Sequence, residues 1–167
     1  MSTARPILLG ADDAGLGLLA IIEEDLATRG IEVRTVRPED VSSGLVAGAG
    51  DDDAVDYPDV AERVAFEIRD GGADRGILIC GTGIGMAIAA NKVPGVRAAL
   101  AHDVYSAERA RKSNNAQILT LGARVIGPEA AKTVVHAWLE SEFAGGASTR
   151  KVDKVDDLER RAANPPT

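Results

Sequence analysis

The stretch from Gly76 to Lys92, GILICGTGIGMAIAANK, decides the fold, because an apolar run, a glycine-rich turn and a second apolar segment follow one another in it. Ile77 to Ile79 shows no polar alternation, which is typical of a strand covered on both faces of a parallel sheet. Cys80 then stands at the carboxyl end of that strand. The stretch therefore predicts a strand, a tight loop and a helix.

The loop itself predicts a chemistry. Gly81, Gly83 and Gly85 let the backbone curl closely around a ligand, with N–H groups directed toward the start of the following helix, where the dipole favours negative charge. The same dipole stabilises a thiolate, so Cys80 is placed to ionise. We interpret the stretch as a carbon-acid site, in which a thiolate base lies beside a preformed anion hole.

Composition sets limits on the class of protein. The 167 residues suit one domain, 1–167, with a substantial core. Nineteen basic residues against 26 acidic ones give a net charge of −7, which argues against nucleic acid or an anionic membrane as a partner. One cysteine excludes an internal disulfide and a cysteine-based zinc site. Without a membrane-length apolar run or a secretory signal, we expect a cytoplasmic protein.

Apolar periodicity places the remaining elements along the chain. The pattern predicts strands at 7–10, 31–35, 76–80, 96–101 and 117–121, helices ending near 29 and spanning 60–69, 105–112 and 129–140, and a long surface loop over 36–57. Strands that alternate with helices indicate an α/β fold, with a five-stranded parallel sheet wound on both faces.

Ligands of such sheets bind at the carboxyl ends of the strands. That rule gathers one set of residues on a single edge of the sheet: Asp12, Asp13, Cys80 to Gly85, His102, Asp103 and the turn at Gly122.

The tail, about 145–163, reads as a charged helix with a thin apolar stripe. Val152, Val155 and Leu158 cannot bury much by themselves, so we expect this helix to pack on another subunit of at least a dimer. The last residues, Asn164 to Thr167, should be frayed.

Two other classes of protein share parts of this pattern. A dinucleotide fingerprint needs a third glycine where Met86 stands, and it should follow the first strand. A receiver module would use an acidic pair like Asp12 and Asp13, but it needs an aspartate in place of Cys80 and a lysine after the fifth strand. No Lys-Ser/Thr pair follows the glycine loop, which excludes a P-loop.

Several candidate residues keep two interpretations. Asp13 is expected to cap the first helix whatever else it does. His102 faces either a ligand or a structural hydrogen-bond partner, and Arg124 is either a solvated charge or an anion clamp. Thr82 satisfies a turn or helps to hold an oxyanion. A lone cysteine such as Cys80 is often a small buried hydrophobe.

Together these residues indicate a resemblance to a known family. The chain resembles ribose-5-phosphate isomerase type B and the related galactose-6-phosphate isomerase subunits over nearly its whole length, and in order. The motifs that carry the resemblance are Asp56-Tyr57-Pro58, the Gly76–Met86 stretch, Ala90-Asn91-Lys92, Gly95 to Ala98, His102-Asp103 with Tyr105-Ser106, Asn114, and Gly122 to Gly127.

The resemblance implies a Rossmann-like fold, a homodimer or dimer of dimers with the site between subunits, and aldose–ketose isomerisation of a sugar phosphate through an enediolate, without metal or cofactor. Its residues carry over as follows: Cys80 as the base, Gly81, Gly83, Ile84 and Gly85 as backbone donors with Thr82 beside them, Asp12, Tyr57 and Asn114 on sugar hydroxyls, and Arg124 on the phosphate.

Four positions depart from the family pattern. Asp13 stands where the family usually has a histidine after the first strand. Ser113 replaces the histidine that opens the furanose ring. In the tail, Ala147 and Lys151 replace two cations on the phosphate side, where bidentate arginine contacts are strong.

These departures favour a particular substrate. A hydroxyl at Ser113 is a poor acid for opening a ring, and a four-carbon sugar phosphate needs no ring opening. We therefore hypothesise a short open-chain substrate such as erythrulose 4-phosphate, with Arg124, Lys151 and Arg150 on its phosphate and Asp13, His102 and Ser113 around the sugar. Ribose 5-phosphate is the near alternative. A catalytically silent sugar-phosphate-binding subunit is the alternative from another class.

Overall fold

Five strands form one parallel sheet in the computed structural model, which describes residues 5–41 and 55–164. The strands are β1 Ile7–Ala11, β2 Val33–Val36, β3 Gly76–Cys80, β4 Ala98–Leu100 and β5 Ile118–Gly122. Their order is β2-β1-β3-β5-β4, and each neighbouring pair is parallel. The predicted α/β class and five-stranded parallel sheet are confirmed.

Helices follow the strands in the order that a doubly wound sheet requires. They are α1 Leu16–Thr28, α2 Pro38–Val41, α3 Tyr57–Arg69, α4 Ile84–Ala90, α5 Val104–Asn114, α6 Pro128–Leu139 and α7 Thr149–Ala163, with a 3₁₀ turn at Gly146–Ser148 before α7. Within the described ranges, no helix combines the length and the apolar content needed to cross a membrane.

The central strand β3 shows why the sheet is covered on both faces. Its side chains alternate between two buried clusters, as the pleat of a strand demands. Ile77 and Ile79 belong to the cluster formed with α1, α5 and α6. Leu78 and Cys80 belong to the cluster on the opposite face, formed with α3 and α4. An uninterrupted apolar strand is therefore buried on both sides, as its sequence indicates.

The start of α3 lies earlier than its apolar period predicts. Asp56 and Asp59 form a capping box, in which each carboxylate accepts a hydrogen bond from the other residue's backbone N–H. Pro58 fits the first turn of a helix, where its missing N–H has no intrahelical acceptor anyway. The predicted loop over 36–57 is wrong where α2 forms and at Tyr57, which begins α3. Its middle, 42–54, lies outside the described residues.

Neither aspartate after β1 caps α1 with its side chain, because the N-cap residue is Gly15 and no side chain accepts a hydrogen bond at that cap. Oδ1 of Asp12 accepts the N–H of Gly15 at 3.0 Å, just before the helix begins at Leu16. The predicted cap by Asp13 is therefore wrong, and Asp13 is exposed.

The tail helix α7 is fastened to its own chain. Asp156 pairs with Arg97 at 2.9 Å, and the Glu159 carboxylate accepts the N–H of Gly95 at 2.8 Å. Val155 and Leu158 remain 53% and 60% exposed. Packing of this helix against a partner subunit stays a prediction, and residues 165–167 of the predicted frayed end lie outside the described ranges.

A buried arginine holds the end of α6, and the periodicity of the sequence gives no sign of it. Arg75, only 7% exposed, donates to the carbonyl oxygens of Trp138, Leu139 and Ser141 at 3.1, 2.7 and 2.8 Å. The last carbonyls of a helix have no intrahelical partner, so this guanidinium satisfies them. Burial lowers the pKa of Arg75, nearby Arg111 lowers it further, and its ion pair with Glu142 opposes the shift.

We predict that Arg75→Ala lowers the free energy of unfolding by about 2–4 kcal/mol, because several buried carbonyls lose a charged donor at once. Urea denaturation followed by circular dichroism measures the change. Arg69→Ala is the matched control, since Arg69 pairs with Asp70 in solvent and its removal should leave the denaturation midpoint unchanged. Equal midpoints for the two variants would contradict a stabilising role of Arg75 at the end of α6.

Candidate active site

The candidate site lies where the chain reverses direction across the sheet. From β1 the chain first crosses to β2 at one edge and then to β3 on the other side of β1, so the carboxyl ends of β1 and β3 flank the switch point at which open α/β sheets bind ligands. Asp12 follows β1, and the glycine loop follows β3. The backbone N–H of Asp12 donates to the carbonyl of Ile79 at 3.3 Å, which ties the two strand ends together.

The glycine loop closes over the sulfur of Cys80. Gly83 adopts a φ of +78°, and its N–H donates to Cys80 Sγ at 3.0 Å. A Cβ added at Gly83 would lie 2.8 Å from the carbonyl carbon of Leu121, so the loop also needs glycine for space. The sulfur of this buried residue therefore has a backbone N–H as a hydrogen-bond donor.

The thiol lies deeper than the sequence predicts. Cys80 is 5% exposed and packs in the cluster beneath α3 and α4, whereas its position before three glycines predicts a thiol at the mouth of the loop. The reason is local: the side chain of the last strand residue follows the pleat into the core, and the loop folds back across it. Gly81 and Thr82, directly above, are half-buried and exposed.

Some backbone N–H groups of the loop are bonded within the loop, and others have no intrahelical acceptor. The N–H of Gly83 is engaged by Cys80, and that of Ile84 lies 3.4 Å from the Thr82 hydroxyl. The first intrahelical bond of α4 runs from Ala87 to Gly83. Gly85 and Met86 precede it, so in the described chain their N–H groups have no intrahelical acceptor. Thr82 thus has a turn role in this structure.

An open cavity of about 410 Å³ adjoins the loop and brings four of the predicted site residues together. Its lining consists of Asp12, Asp13, Ala14, Val55, Asp56, Tyr57 and Arg124. Asp56 and Val55 are additions that sequence analysis missed, although Asp56 stands directly before Tyr57 in the motif that carries the resemblance.

Arg124 links this cavity to the glycine loop. Its N–H donates to the carbonyl of Gly81 at 3.0 Å, and a Cβ added at Gly81 would lie 3.6 Å from Arg124 Cδ and Nε. The side chain therefore lies over the loop backbone with its guanidinium exposed. It faces a cavity that also contains the carboxylates of Asp12, Asp13 and Asp56. An anion entering this cavity is attracted by Arg124 and repelled by the three acidic residues.

Tyr57 forms a wall between two cavities. A Cβ added at Gly85 would lie 2.6 Å from Tyr57 Cε2, so the ring packs directly on the first turn of α4. Beyond the ring, a second cavity of about 430 Å³ is lined by apolar groups such as Phe66 and Ile88, with Lys92 among them. The glycine at position 85 thus serves the placement of an aromatic ring.

The other predicted residues lie elsewhere. Ser113 and Asn114 end α5, where Asn114 Nδ2 donates to the carbonyl of Arg109 at 3.0 Å, and Arg150 and Lys151 lie exposed in the first turn of α7. In the described chain these residues are not among those that line the cavity beside the loop. No cluster of His, Cys, Asp or Glu suited to a metal ion occurs among the described residues.

Comparison with known proteins shows the family of this chain. The model of the Ribose/Galactose Isomerase family matches residues 7–155. The chain belongs to this family. It is 49% identical to the D-erythrulose-4-phosphate isomerase of Pectobacterium atrosepticum, over 93% of this chain and 95% of the relative, and 46% identical to the ribose-5-P isomerase B of Listeria innocua, over 93% and 97%.

A solved structure gives the same result in three dimensions. Ribose-5-phosphate isomerase B of Clostridium thermocellum superposes with a TM-score of 0.81 at 41% identity, over 94% of this chain and 99% of that chain. The family and the isomerase class that the motifs predict are confirmed.

We predict that Gly83→Ala destabilises the protein and removes activity, because the added Cβ meets the Leu121 backbone, which cannot move aside. Gly95→Ala is a matched control: Gly95 has a φ of +84° and nothing within 4 Å of the added atom. Both variants lose about 1–2 kcal/mol because an alanine is strained at a positive φ, and only Gly83→Ala loses roughly 1–3 kcal/mol more through overpacking. Chemical denaturation measures the free energy of unfolding of each variant. Equal losses would show that the loop does not fit tightly against β5.

Proposed function

We propose that the protein interconverts the ketose and aldose forms of a short, open-chain sugar phosphate, with erythrulose 4-phosphate and its aldose partner as the preferred pair. The choice of substrate rests on Ser113, which replaces the ring-opening histidine of the family pattern. The relative from Pectobacterium, named D-erythrulose-4-phosphate isomerase, adds support.

Cys80 acts as the base in this proposal. Its thiolate removes a proton from C1 of the ketose, the electron pair forms the C1–C2 double bond, and the C2 oxygen becomes negative. The thiol, whose proton exchanges with solvent while the enediolate is bound, then delivers a proton to C2, a hydroxyl proton passes from O1 to O2, and no atom is gained or lost. The N–H donated by Gly83 to the sulfur stabilises the thiolate between turnovers.

Backbone donors above the sulfur hold the charged intermediate. A carbon-bound hydrogen next to a carbonyl becomes removable when preorganised donors stabilise the developing oxyanion. Gly81, Gly85 and the Thr82 hydroxyl are the groups assigned to this task, because Gly83 is engaged by the sulfur. The partial exposure of the loop above a buried thiol supports a substrate that lies flat on its backbone.

The residues that line the cavity beside the loop support one orientation of the substrate. Asp12 and Tyr57 contact sugar hydroxyls, since carboxylate and phenol groups accept and donate hydrogen bonds to them. Arg124 takes the phosphate, because it is the cation among the described residues that line this cavity. Asp13, an exposed acidic residue that lines the same cavity, repels a phosphate and so favours binding with the phosphate toward Arg124.

The remaining cations and the sugar-side residues at the end of α5 need a second copy of the chain in this proposal. Arg150, Lys151, Ser113 and Asn114 complete the site across the interface of a homodimer or a dimer of dimers. The exposed apolar side chains of α7 support burial against a partner: Val155 and Leu158. We propose a cytoplasmic enzyme without metal or cofactor, formed by a single domain.

Steady-state kinetics on both substrate pairs tests the proposed function. We expect kcat/KM for the erythrulose 4-phosphate pair to exceed that for the ribose 5-phosphate pair by at least about tenfold, because the pentose closes a ring that Ser113 opens poorly. A preference for ribose 5-phosphate would reject the tetrose substrate and leave the isomerase chemistry intact.

The base is tested by Cys80→Ser, which keeps the size of the side chain and an acceptor for the Gly83 N–H. We expect kcat to fall by about 10²–10⁴-fold, as is typical for the loss of a positioned base, while substrate binding stays near the wild-type value. Exchange of the substrate's C2 hydrogen with solvent, followed by NMR, measures the proton transfer, and calorimetry measures binding. Exchange at the wild-type rate would remove Cys80 from the reaction.

The role of position 113 is tested by Ser113→His. An imidazole supplies the acid that ring opening lacks, so we expect the ratio of kcat/KM for ribose 5-phosphate to that for the tetrose to rise at least about tenfold. Ser106→His, in the first turn of the same helix, is the control that adds a histidine elsewhere and should leave the ratio unchanged. Equal ratios in both variants would contradict a ring-opening site at 113.

A second candidate function is a catalytically silent sugar-phosphate-binding subunit. The burial of Cys80 and the change of two tail cations of the family pattern, one to Ala147 and one to Lys151, favour it. This alternative predicts binding of a sugar phosphate with no exchange of its C2 hydrogen in wild-type protein, for tetrose and pentose alike.

A further inference from the structure

The imidazole of His102 is directed at a backbone group. His102 follows β4, and its Nε2 lies 2.8 Å from the backbone nitrogen of Gly122, the last residue of β5. A backbone N–H can only donate, so Nε2 accepts, and the neutral ring carries its proton on Nδ1. A protonated imidazole could not make this bond.

The surroundings keep the ring in the form that accepts. Burial lowers the pKa of His102, and the neighbouring Asp103 carboxylate opposes this only in part. Asp103 is occupied as the cap of α5, where its Oδ1 accepts the N–H of Ser106 at 2.7 Å. The ring is therefore neutral at pH 7, and the bond to Gly122 persists.

Gly122 in turn presses on the glycine loop. A Cβ added there would lie 2.6 Å from both the carbonyl carbon and the carbonyl oxygen of Thr82, which is closer than real side chains approach. Gly122 therefore makes van der Waals contact with the loop through its bare Cα.

Two further bonds join the same turn to the loop. Ala123 donates its N–H to the carbonyl of Cys80 at 2.8 Å, and Arg124 donates to the carbonyl of Gly81 at 3.0 Å. All three residues at the start of the loop are thus held by the turn 122–124. A group that holds this turn acts on the thiol, the loop and the Arg124 guanidinium together.

We infer that His102 is a positioning residue, which holds the turn 122–124 against Cys80, Gly81 and Thr82 through its hydrogen bond with Gly122. This assignment differs from the predicted direct contact with substrate. It rests on the proposed function in one respect: the loop that His102 holds is the reacting site. The loop also determines access to the sulfur, so the inference has a readout that requires no turnover.

The test compares His102→Gln with His102→Leu. Glutamine places an acceptor oxygen near the position of Nε2, whereas leucine fills the space and leaves the Gly122 N–H without an acceptor. We expect His102→Gln to keep kcat near the wild-type value. We expect His102→Leu to lose roughly 10- to 100-fold in kcat, the effect of a small misplacement of reacting groups, with little change in KM.

Alkylation of the single cysteine provides the second readout. A buried thiol reacts with iodoacetamide only when its cover opens, so we expect His102→Leu to raise the alkylation rate of Cys80 about tenfold and His102→Gln to leave it unchanged. This measurement stands even if the wild-type protein turns over no sugar phosphate, which separates failure of the inference from failure of the proposed function.

Nitrogen-15 NMR of wild-type protein provides a third readout that does not depend on any variant. The chain has two histidines, so the His102→Gln spectrum assigns the signals. We expect neutral His102 to carry its proton on Nδ1. A proton on Nε2, equal loss of kcat in the glutamine and leucine variants, or wild-type activity with wild-type alkylation in His102→Leu would each overturn the inference.

Discussion

The structure depends on the close packing of two strand ends. β3 and β5 lie side by side with Cys80 opposite Gly122, and the residues that follow each strand fold against one another. Gly122 contacts the backbone of Thr82 with no side chain between them, and Gly83 lies close to the backbone of Leu121 in the same way. Because both approaches exclude a Cβ, the loop has little freedom, and the positions of its N–H groups are fixed by the sheet.

The sheet order turns this local packing into a site. β1 and β3 flank the switch point, so the carboxylate of Asp12 and the glycine loop are brought to the same edge by strands far apart in sequence. Arg124, delivered by β5, completes the edge with a cation. One guanidinium and three acidic residues therefore line the cavity beside the loop, so its charge distribution is uneven.

Much of this arrangement could be predicted from the sequence because local signals and fold agree. β3 has an uninterrupted apolar run, the three glycines mark the loop, and the alternation of strands and helices predicts the sheet. Features that depend on contacts between residues far apart in the sequence could not be predicted. Arg75 looks like any polar residue before a strand, yet it is buried against the end of α6.

The details of the site show the same limit. The sequence places two aspartates after β1 but does not reveal that Asp12 accepts the N–H of Gly15 in the turn before α1 and that Asp13 is exposed. It predicts Cys80 beside the loop but not its burial, which follows from the pleat and the fold-back of the glycines. The direction of the His102 ring depends on the spacing of β4 and β5, which no local pattern encodes.

The most direct measurement of the central claim is a crystal structure with a phosphorylated hydroxamate that mimics the enediolate. The account predicts the hydroxamate oxygens within hydrogen-bond distance of loop N–H groups between Gly81 and Gly85, and Cys80 Sγ about 3–3.5 Å from the atom that represents C1 or C2. A mimic bound away from this loop, with the sulfur still covered and out of contact, would contradict it.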